Sequence, residues 1–420
     1  MSEFLNLKNY PNDWITSEGH LFLTLGSGVS PSNISFTSNG NTPYMKVDDF
    51  NHPENASFIK KTKLRFNKEE HRTPLAKANS VIIAKRGAAI FKNRVRINPF
   101  IMAVDTNLMT ISVDEQHSPF YFKYLLEFIN LASIADTTSI PQLNNFHLNE
   151  ALFSLPSLPE QQKIAAILTS VDDVIGQTQA QIDKLKDLKT GMMQELLTRG
   201  VGLDGKPHTE FKDSPVGRIP KGWDVALIGE LFQVRLGKML SQASKIGSNP
   251  YPYLGNKNVQ WGDVDLTNLE AMDFKDTERK KFSLLKGDLL MCEGGDVGRT
   301  AIWQGEMSNC YYQKAIHRLR PIESSYEPFL LMEYMKYAKE TGLLVDYISQ
   351  TSIAHLTKEK LISIPLPVPS IPEQKKIVCI LKSITGKINL AAQTLHKNKQ
   401  LKKALMQDLL TGKVRFKVDS

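Results

Sequence analysis

Three cysteines in 420 residues, Cys292, Cys310 and Cys379, lie far apart and leave no disulfide framework. No Cys/His cluster has zinc-ligand spacing, so no metal site is expected, and a role as small buried apolar residues fits the three thiols. There is no G-x-x-x-x-G-K-[ST] loop, which argues against a nucleotide motor, and no H-E-x-x-H. The N-terminus lacks a basic-then-apolar signal and no uncharged apolar run could span a membrane, so the expectation is a cytoplasmic chain. A DNA methyltransferase would need an Asn/Asp-Pro-Pro-Tyr/Phe loop. The candidates N-P-F (Asn98 to Phe100) and N-P-Y (Asn249 to Tyr251) each lack the second proline, and the G-S-G at Gly26 to Gly28 has no convincing acidic partner downstream. No Ser/His/Asp or Cys/His spacing stands out.

What the chain does have is a long stretch written twice. P-S-L-P-E-Q-Q-K-I, running from Pro156 to a terminal M-Q-E-L-L-T at Thr198, returns as P-S-I-P-E-Q-K-K-I from Pro369 to M-Q-D-L-L-T at Thr411, 213 residues on and without a gap. Roughly 20 of about 44 positions are identical between the copies, far above chance for a long-period repeat.

Each copy reads as one long helix. Pro159 and Pro372 suit a first helical position, with Glu160 and Glu373 acidic in the first turn where the helix dipole favours them. Apolar residues then alternate at steps of four and three. The first seam is Ile164, Leu168, Val171, Ile175, Ile182, Leu185, Met192 and Leu196, interrupted at Thr178 and Lys189. The second is Ile377, Leu381, Ile384, Ile388, Ala391, Leu395, Leu405 and Leu409, interrupted at Asn398 and Lys402. This is a coiled-coil seam over about five heptads, about 60 Å at about 1.5 Å per residue. Two separate surface helices are the plain alternative. Pairing of the two with each other is the better reading, since each stripe needs a partner. Gly176, Gly191 and Gly386 lower helix propensity locally and permit a bend.

The net charge is +8 and the pI about 9.1, a weak hint of a polyanionic partner. The distribution says more. Lys60, Lys61, Lys63, Arg65, Lys68, Arg72, Lys77, Lys85, Arg86, Lys92, Arg94 and Arg96 fall in one segment whose acids are Glu69 and Glu70. That segment accounts for the excess positive charge. A solvated basic face is the neutral explanation and a nucleic-acid surface the favoured one.

The rest of the chain is duplicated too, more loosely. Residues 1–155 form a mixed α/β block, with strands expected at Val81 to Ala84, Ile101 to Val104 and Leu152 to Leu155, and a helix from Pro119 to Leu131. Residues 156–199 are the first long helix and 200–217 a Gly-rich, charged linker. Residues 218–367 form the second block, 368–412 the second long helix, and 413–420 a basic tail that could form a strand. P-Y-L-G-N-K-N-V (Pro252 to Val259) parallels P-Y-M-K (Pro43 to Lys46), K-G-D-L-L-M-C-E-G-G parallels A-N-S-V-I-I-A-K-R-G, and T-S-I-A-H-L (Thr351 to Leu356) follows T-S-I-P-Q-L (Thr138 to Leu143) by 213 residues. E-G-G-D-V-G-R (Glu293 to Arg299) could approach a phosphate through its backbone, but a tight turn between strands is the better reading. Helices alike and blocks different suggest one frame carrying two readers.

The order of these motifs resembles the DNA-specificity subunit of type I restriction-modification systems. The resemblance covers essentially the whole chain and rests on Pro159-Glu160-Gln161 with Lys163-Ile164, their copies Pro372-Glu373-Gln374 with Lys376-Ile377, the M-Q-x-L-L-T helix ends, and Ile219-Pro220-x-Gly222-Trp223. The first block departs from it, with N-D-W (Asn12 to Trp14) in place of K-G-W. The resemblance implies an α+β fold class: two similar mixed α/β target-recognition domains joined by two long antiparallel coiled-coil helices, in a pseudo-twofold tandem repeat. Each domain would read half of a split site in double-stranded DNA, and the helices would set the spacer. Two modification subunits would dock around the helices and methylate adenine, and motor/nuclease restriction subunits would complete the complex. No cofactor is implied for this chain, with S-adenosylmethionine, ATP and Mg in the partner subunits.

For DNA contacts the expectation falls on Lys85, Arg86, Lys92, Arg94, Arg96 and Gln142 in the first block, and on Lys238, Tyr253, Lys257, Asn258, Arg299 and His355 in the second. Gln142 and His355 hold matched places in T-S-I-x-x-L, where a polar turn residue is the plain alternative. The competing functions are a stand-alone methyltransferase or nuclease and a coiled-coil scaffold that binds no DNA.

Overall fold

The computed structural model describes residues 10–416 except 138–139, 246, 248 and 351–353. The chain divides into two compact units, Met1–Ile182 with Ala391–Ser420, and Asp183–Leu390. The division does not follow the linear order of block and helix. Each unit takes one of the two mixed blocks together with part of both long helices.

The two units share one topology. In the first, a four-stranded antiparallel sheet has the order Leu23–Ser27, Leu108–Val113, Ser80–Ala84, Val95–Asn98. In the second the order is Phe232–Leu236, Ile316–Pro321, Leu289–Cys292, Thr300–Ile302. Each unit adds a mixed three-stranded sheet, Leu64–Phe66, Thr42–Met45 and Ala103–Val104 in one, Glu270–Asp273, Pro250–Leu254 and Tyr311–Tyr312 in the other. Each also adds a two-stranded ladder that delivers the chain into the following long helix, Ile15–Glu18 with Leu152–Leu155 and Asp224–Leu227 with Pro365–Val368. Ser80–Ala84 and Leu289–Cys292 are buried along their whole length and read as continuous apolar runs for that reason. The Glu293–Arg299 segment is the turn between Leu289–Cys292 and Thr300–Ile302, with Gly295 and Gly298 at φ of 72° and 78°.

The long helices run Leu158–Thr198 and Ile371–Leu410, each starting one residue before its proline and continuing through its glycines. They are antiparallel in both units. In the first unit Ile164 and Leu168 share a core with Met406, Leu409 and Leu410, and Ile182 meets Ala391 and Leu395, with Ile175 alongside. In the second, Met193, Leu196 and Leu197 share a core with Ile377, Val378 and Leu381. Ile384 is also buried, and Val171, Leu185 and Ile388 are half-buried on the same seam. A fully buried Leu or Ile such as Leu168 or Ile377 contributes about 2 kcal/mol.

The two lysines that interrupt the seam each reach a glutamate on a short domain helix. Lys189 Nζ lies 2.7 Å from Glu333 Oε1, on the short helix Pro328–Glu340. The matched Lys402 Nζ lies 2.7 Å from Asp172 Oδ1 and 3.2 Å from Glu127 Oε2, the latter on the short helix Pro119–Ile129.

The P-E-Q-x-K motif fastens each unit. Gln161 Oε1 accepts from Ser118 N at 2.9 Å and its Nε2 donates to Pro156 O at 2.9 Å. Gln374 repeats this with Glu327 N and Pro369 O, both at 2.9 Å. Each glutamine thereby ties the start of a short domain helix to the start of a long one. Glu373 is buried and accepts from Trp223 Nε1 at 3.0 Å, Val201 N at 3.0 Å and His208 Nε2 at 2.9 Å. Its counterpart Glu160, also buried, takes Arg415 Nε at 2.8 Å and Nη2 at 2.9 Å. Lys376 Nζ donates to Gly202 O and Leu203 O at 3.2 and 3.1 Å, and Lys163 Nζ stands 5.1 Å from the centre of the Phe416 ring. In both units the motif holds the segment that follows the other long helix.

A glycine makes the turn into that segment possible. Gly200 has φ 67° and a Cβ there would lie 2.5 Å from Glu373 Oε1; Gly412 has φ 70° and a Cβ would lie 2.4 Å from Pro11. The linker expected at 200–217 is consequently anchored, with Val201 buried and a Phe211–Ser214/Gly217–Pro220 hairpin at its end. The tail through Phe416 is docked coil rather than a strand. Cys292 and Cys310 are buried as expected for small apolar residues, whereas Cys379 is exposed, on the outer face of its helix away from the seam.

Candidate nucleic-acid interface

The end of one central strand follows the same backbone pattern in both units. Past Ser80–Ala84, Lys85 N donates to Asn107 O at 2.9 Å, Leu143 N to Lys85 O at 2.9 Å and Gly87 N to Pro141 O at 2.8 Å. Gln142 is thereby paired with Arg86 on one side and with Asp136 on the other. Past Leu289–Cys292, Glu293 N donates to Ala315 O at 2.9 Å and Leu356 N to Glu293 O at 2.7 Å. His355 is paired with Gly294 on one side and Ser349 on the other. The backbone frame is shared, and the side chains on it are not: Lys85 against Glu293, Arg86 against Gly294, Gln142 against His355. Of the T-S-I-x-x-L pair, Thr138, Ser139, Thr351, Ser352 and Ile353 lie outside the described residues.

Arg86 is exposed and Gln142 half-buried, its Nε2 donating to Asn144 Oδ1 at 2.7 Å. Lys85 reaches Ser27 Oγ at 3.2 Å, and its pKa is lowered by burial and by the neighbouring Arg86 charge. In the second unit, a Cβ on Gly294 would come within 3.0 Å of His355 Nδ1, so the glycine clears the space the imidazole occupies. Asn256 Nδ2 donates to Gly294 O at 2.9 Å, and Arg299 Nη2 donates to Asn256 O at 2.7 Å. Arg299 therefore supports this place from within. Below it, His317 Nε2 donates to Leu356 O at 2.9 Å; burial lowers the His317 pKa, which keeps the ring neutral.

The basic segment of the first unit is a surface. Lys60, Lys61, Lys63, Arg65, Lys68, Arg72, Lys77, Arg86 and Lys92 are all exposed. Among the described residues, Lys60, Lys68, Arg72, Lys77, Arg86 and Lys92 have no carboxylate partner. Such cations can hold phosphate without first breaking an internal pair.

Several expected contact residues are engaged inside the fold. Arg96 is buried, its Nε donating to Phe50 O at 2.7 Å and its Nη1 to Ala56 O, with the guanidinium over the Phe50 ring. Arg94 Nη1 donates to Asn51 O and Oδ1, both at 2.8 Å. Lys238 is held by Glu278 at 2.7 Å and Asp273 O at 2.6 Å. Tyr253 is buried with its hydroxyl on Glu270, and Asn258 is buried between Gly255 N and Asp265 O. Lys257 stays exposed, paired with Glu270 at 2.9 Å. Arg96, Tyr253 and Asn258 are buried and Lys238 half-buried, and each polar head has a partner inside the fold, as buried polar groups generally do. A basic or polar letter in a loop-like string does not reveal that its loop folds back over it.

Sequence reasoning passes over the fastening role of Gln161, Gln374, Lys163 and Lys376, and sees in Glu160 and Glu373 only a helix-dipole preference. A signal for that role does exist. These polar residues are identical in both copies, and a solvated polar position has no physical reason to be.

Two α+β units of one topology, each completed by stretches of both antiparallel long helices and each presenting different side chains on the same strand-end frame, define a duplicated, helix-coupled class of protein. The domain described as the type I restriction modification DNA specificity domain matches residues 11–187 and 220–402, and the chain belongs to that family. It is 30% identical over 297 residues to the type I restriction enzyme MjaVIII specificity subunit of Methanocaldococcus jannaschii, covering 68% of each chain. The fold is similar to the S subunit of a type I restriction-modification system from M. genitalium, with a TM-score of 0.58 at 15% identity over 97% of this chain and 99% of that one. It is also similar to a chain from a structural study of assembly and conformational transition in the type I R-M system, with a TM-score of 0.57 at 18% identity over 96% and 99%.

Proposed function

We propose that this chain is the DNA sequence-recognition subunit of a type I restriction-modification complex and has no catalytic chemistry of its own. Each unit reads one half of a bipartite site in double-stranded DNA, and the long helices set the gap between the halves. The observation that carries this reading is the constancy of the P-E-Q-x-K fastening in both units beside the change of exposed polar residues on one strand-end frame. A catalytic pair of sites would keep its reactive groups in both copies; two readers of different sequences keep the frame and change the side chains.

In this reading two modification subunits dock around the long helices, and motor/nuclease subunits join that assembly. S-adenosylmethionine, ATP and Mg belong to those partners. Lys60, Lys61, Lys63, Lys68, Arg72, Lys77 and Lys92 grip phosphate, which fixes register without reading sequence. Affinity then falls steeply with salt, by about 0.9 in the log–log slope for each phosphate neutralised.

Base-resolution methylation mapping of host DNA, with and without this gene, tests the proposal. The expected result is a split motif with methyladenine in both halves, lost on deletion. An unchanged methylome, together with failure of the chain and its modification subunits to retain duplex DNA at low salt, would sink it. Exchanging residues 1–155 for those of a relative should change one half-site and leave the other.

A further inference from the structure

We propose that the matched strand-end positions are the sequence-determining sites of the two units: Arg86 with Gln142 in the first, and His355, in the space cleared by Gly294, in the second. The inference rests on the DNA-recognition reading above and separates readers of bases from grips on phosphate.

Four backbone hydrogen-bonding relations recur between the units: the strand extension onto Asn107 or Ala315, the return bond from Leu143 or Leu356, and the pairings of Gln142 or His355 on both flanks. A frame this closely kept fixes where the side chains at Arg86/Gly294 and Gln142/His355 leave the backbone. Those side chains differ in charge, size and hydrogen-bonding pattern. Their surroundings differ to match. Arg86 stands exposed beside Gln142, and Gly294 has no side chain where His355 needs room.

The chemistry of the side chains fits base edges. A guanidinium fork matches the O6 and N7 acceptors of guanine, and a primary amide matches the N6 donor and N7 acceptor of adenine. An imidazole, with one N–H and one bare nitrogen, can donate to or accept from a base edge. The backbone ladder under each position limits the loop ordering that contact requires, which favours discrimination over general attraction. The exposed Lys60, Lys61, Lys63, Lys68, Lys77 and Lys92 lie on no such frame.

The test uses the complex of this chain with its modification subunits and a panel of duplexes carrying every single base-pair change in each half-site. Arg86→Lys keeps the charge, is exposed, and removes the fork. The ratio of affinity for the cognate duplex over the duplex changed at one G·C pair of the first half-site should fall at least about tenfold, with discrimination in the second half-site unchanged. Gln142→Ala should do the same at an A·T pair of the first half, and His355→Asn at one pair of the second half. The double change Gly294→Arg with His355→Gln, which writes the first unit's pair onto the second, should create a new preference in the second half alone. Uniform loss of affinity across the panel would make these residues grips or structural supports and overturn the proposal, as would unchanged discrimination. Absence of any bipartite preference in the unaltered complex would instead overturn the DNA-recognition reading itself, so the two failures are distinguishable.

Discussion

Arg415 grips both carboxylate oxygens of Glu160, at 2.8 and 2.9 Å, and so fastens the tail after the second long helix to the first turn of the first. The same guanidinium meets Asp13 Oδ1 and Oδ2 at 2.8 and 2.7 Å, beside Trp14. In the second unit Trp223 gives its indole N–H to Glu373; in the first, Arg415 occupies Glu160 and the Trp14 indole nitrogen is buried with no hydrogen-bond partner among the described residues. Arg415→Ala strands a buried carboxylate and should cost the first unit about 2 kcal/mol. Arg415→Lys should recover part of that, since a point charge cannot make the paired contact. Hydrogen exchange checks it: protection should fall around 13–27 and 158–168 and hold across 183–390. Equal loss across both units would mean that the tail does something other than close the first.

The lysines that interrupt the seam make a second case. Lys189 reaches a glutamate with almost no solvent exposure, so Lys189→Met should destabilise the second unit by about 3 kcal/mol, because it leaves Glu333 charged and unpaired in the interior. Replacing both, Lys189→Met with Glu333→Met, should recover most of the loss. Denaturant melts of the two single variants and the double variant form the cycle. A double variant as unstable as the single would mean that the ammonium is needed for more than neutralising Glu333.

How much of the fold and of the candidate interface is legible in the sequence depends on the range of the signal. The repeat, the two helices and their seam are periodic over some forty residues each, and short-range periodicity is what a sequence displays. The strands Val81–Ala84 and Leu152–Leu155 stand out as apolar runs. Gln142 and His355 emerge because the repeat aligns them, although nothing local marks them as members of a ladder. Engagement of polar groups inside the fold is less legible. Arg96, Lys238 and Tyr253 look like surface chemistry in the string because the partners of their polar groups lie far away in sequence: Arg96 donates to carbonyls of Phe50 and Ala56, some forty residues earlier. The anchoring of residues 199–206 and of the tail is hidden for the same reason, since it depends on Glu373 and Glu160, more than 170 and 250 residues away.

Asp172 gives a pH dependence with a definite sign. Burial acts to raise its pKa, but the ammonium groups of Lys123 and Lys402 and the Ser57 hydroxyl outweigh it, and the carboxyl is lowered from 3.8 to about 2. A folded pKa below the unfolded one means that stability is present above about pH 4 and is lost as pH falls through about 2. The Asp172 contribution is about 2 kcal/mol on that shift. Asp172→Asn should therefore be less stable than the unaltered protein at pH 7, with the gap closing between about pH 4 and 2. A gap independent of pH would assign the loss to packing rather than charge. Because Ser57 donates to Asp172 Oδ2 at 2.7 Å, the variant should also loosen the loop that carries Lys60, Lys61 and Lys63.

The spacer reading is the most exposed to test. Each long helix has members in both compact units, residues 158–182 and 183–198 in the first helix and 371–390 and 391–410 in the second. A heptad inserted into each helix at the boundary between the units keeps the seam in register, because the pattern repeats every seven residues. It adds about 10 Å per helix at about 1.5 Å per residue, or about three base pairs at 3.4 Å each. The expected outcome, read by methylation mapping, is a site whose two halves keep their bases and stand about three base pairs further apart. Insertion of a heptad into one helix alone breaks the match between the seams and should abolish methylation. A longer spacer from the single insertion, or an unchanged spacer from the double one, would mean that the gap between half-sites is set by something other than the helix pair.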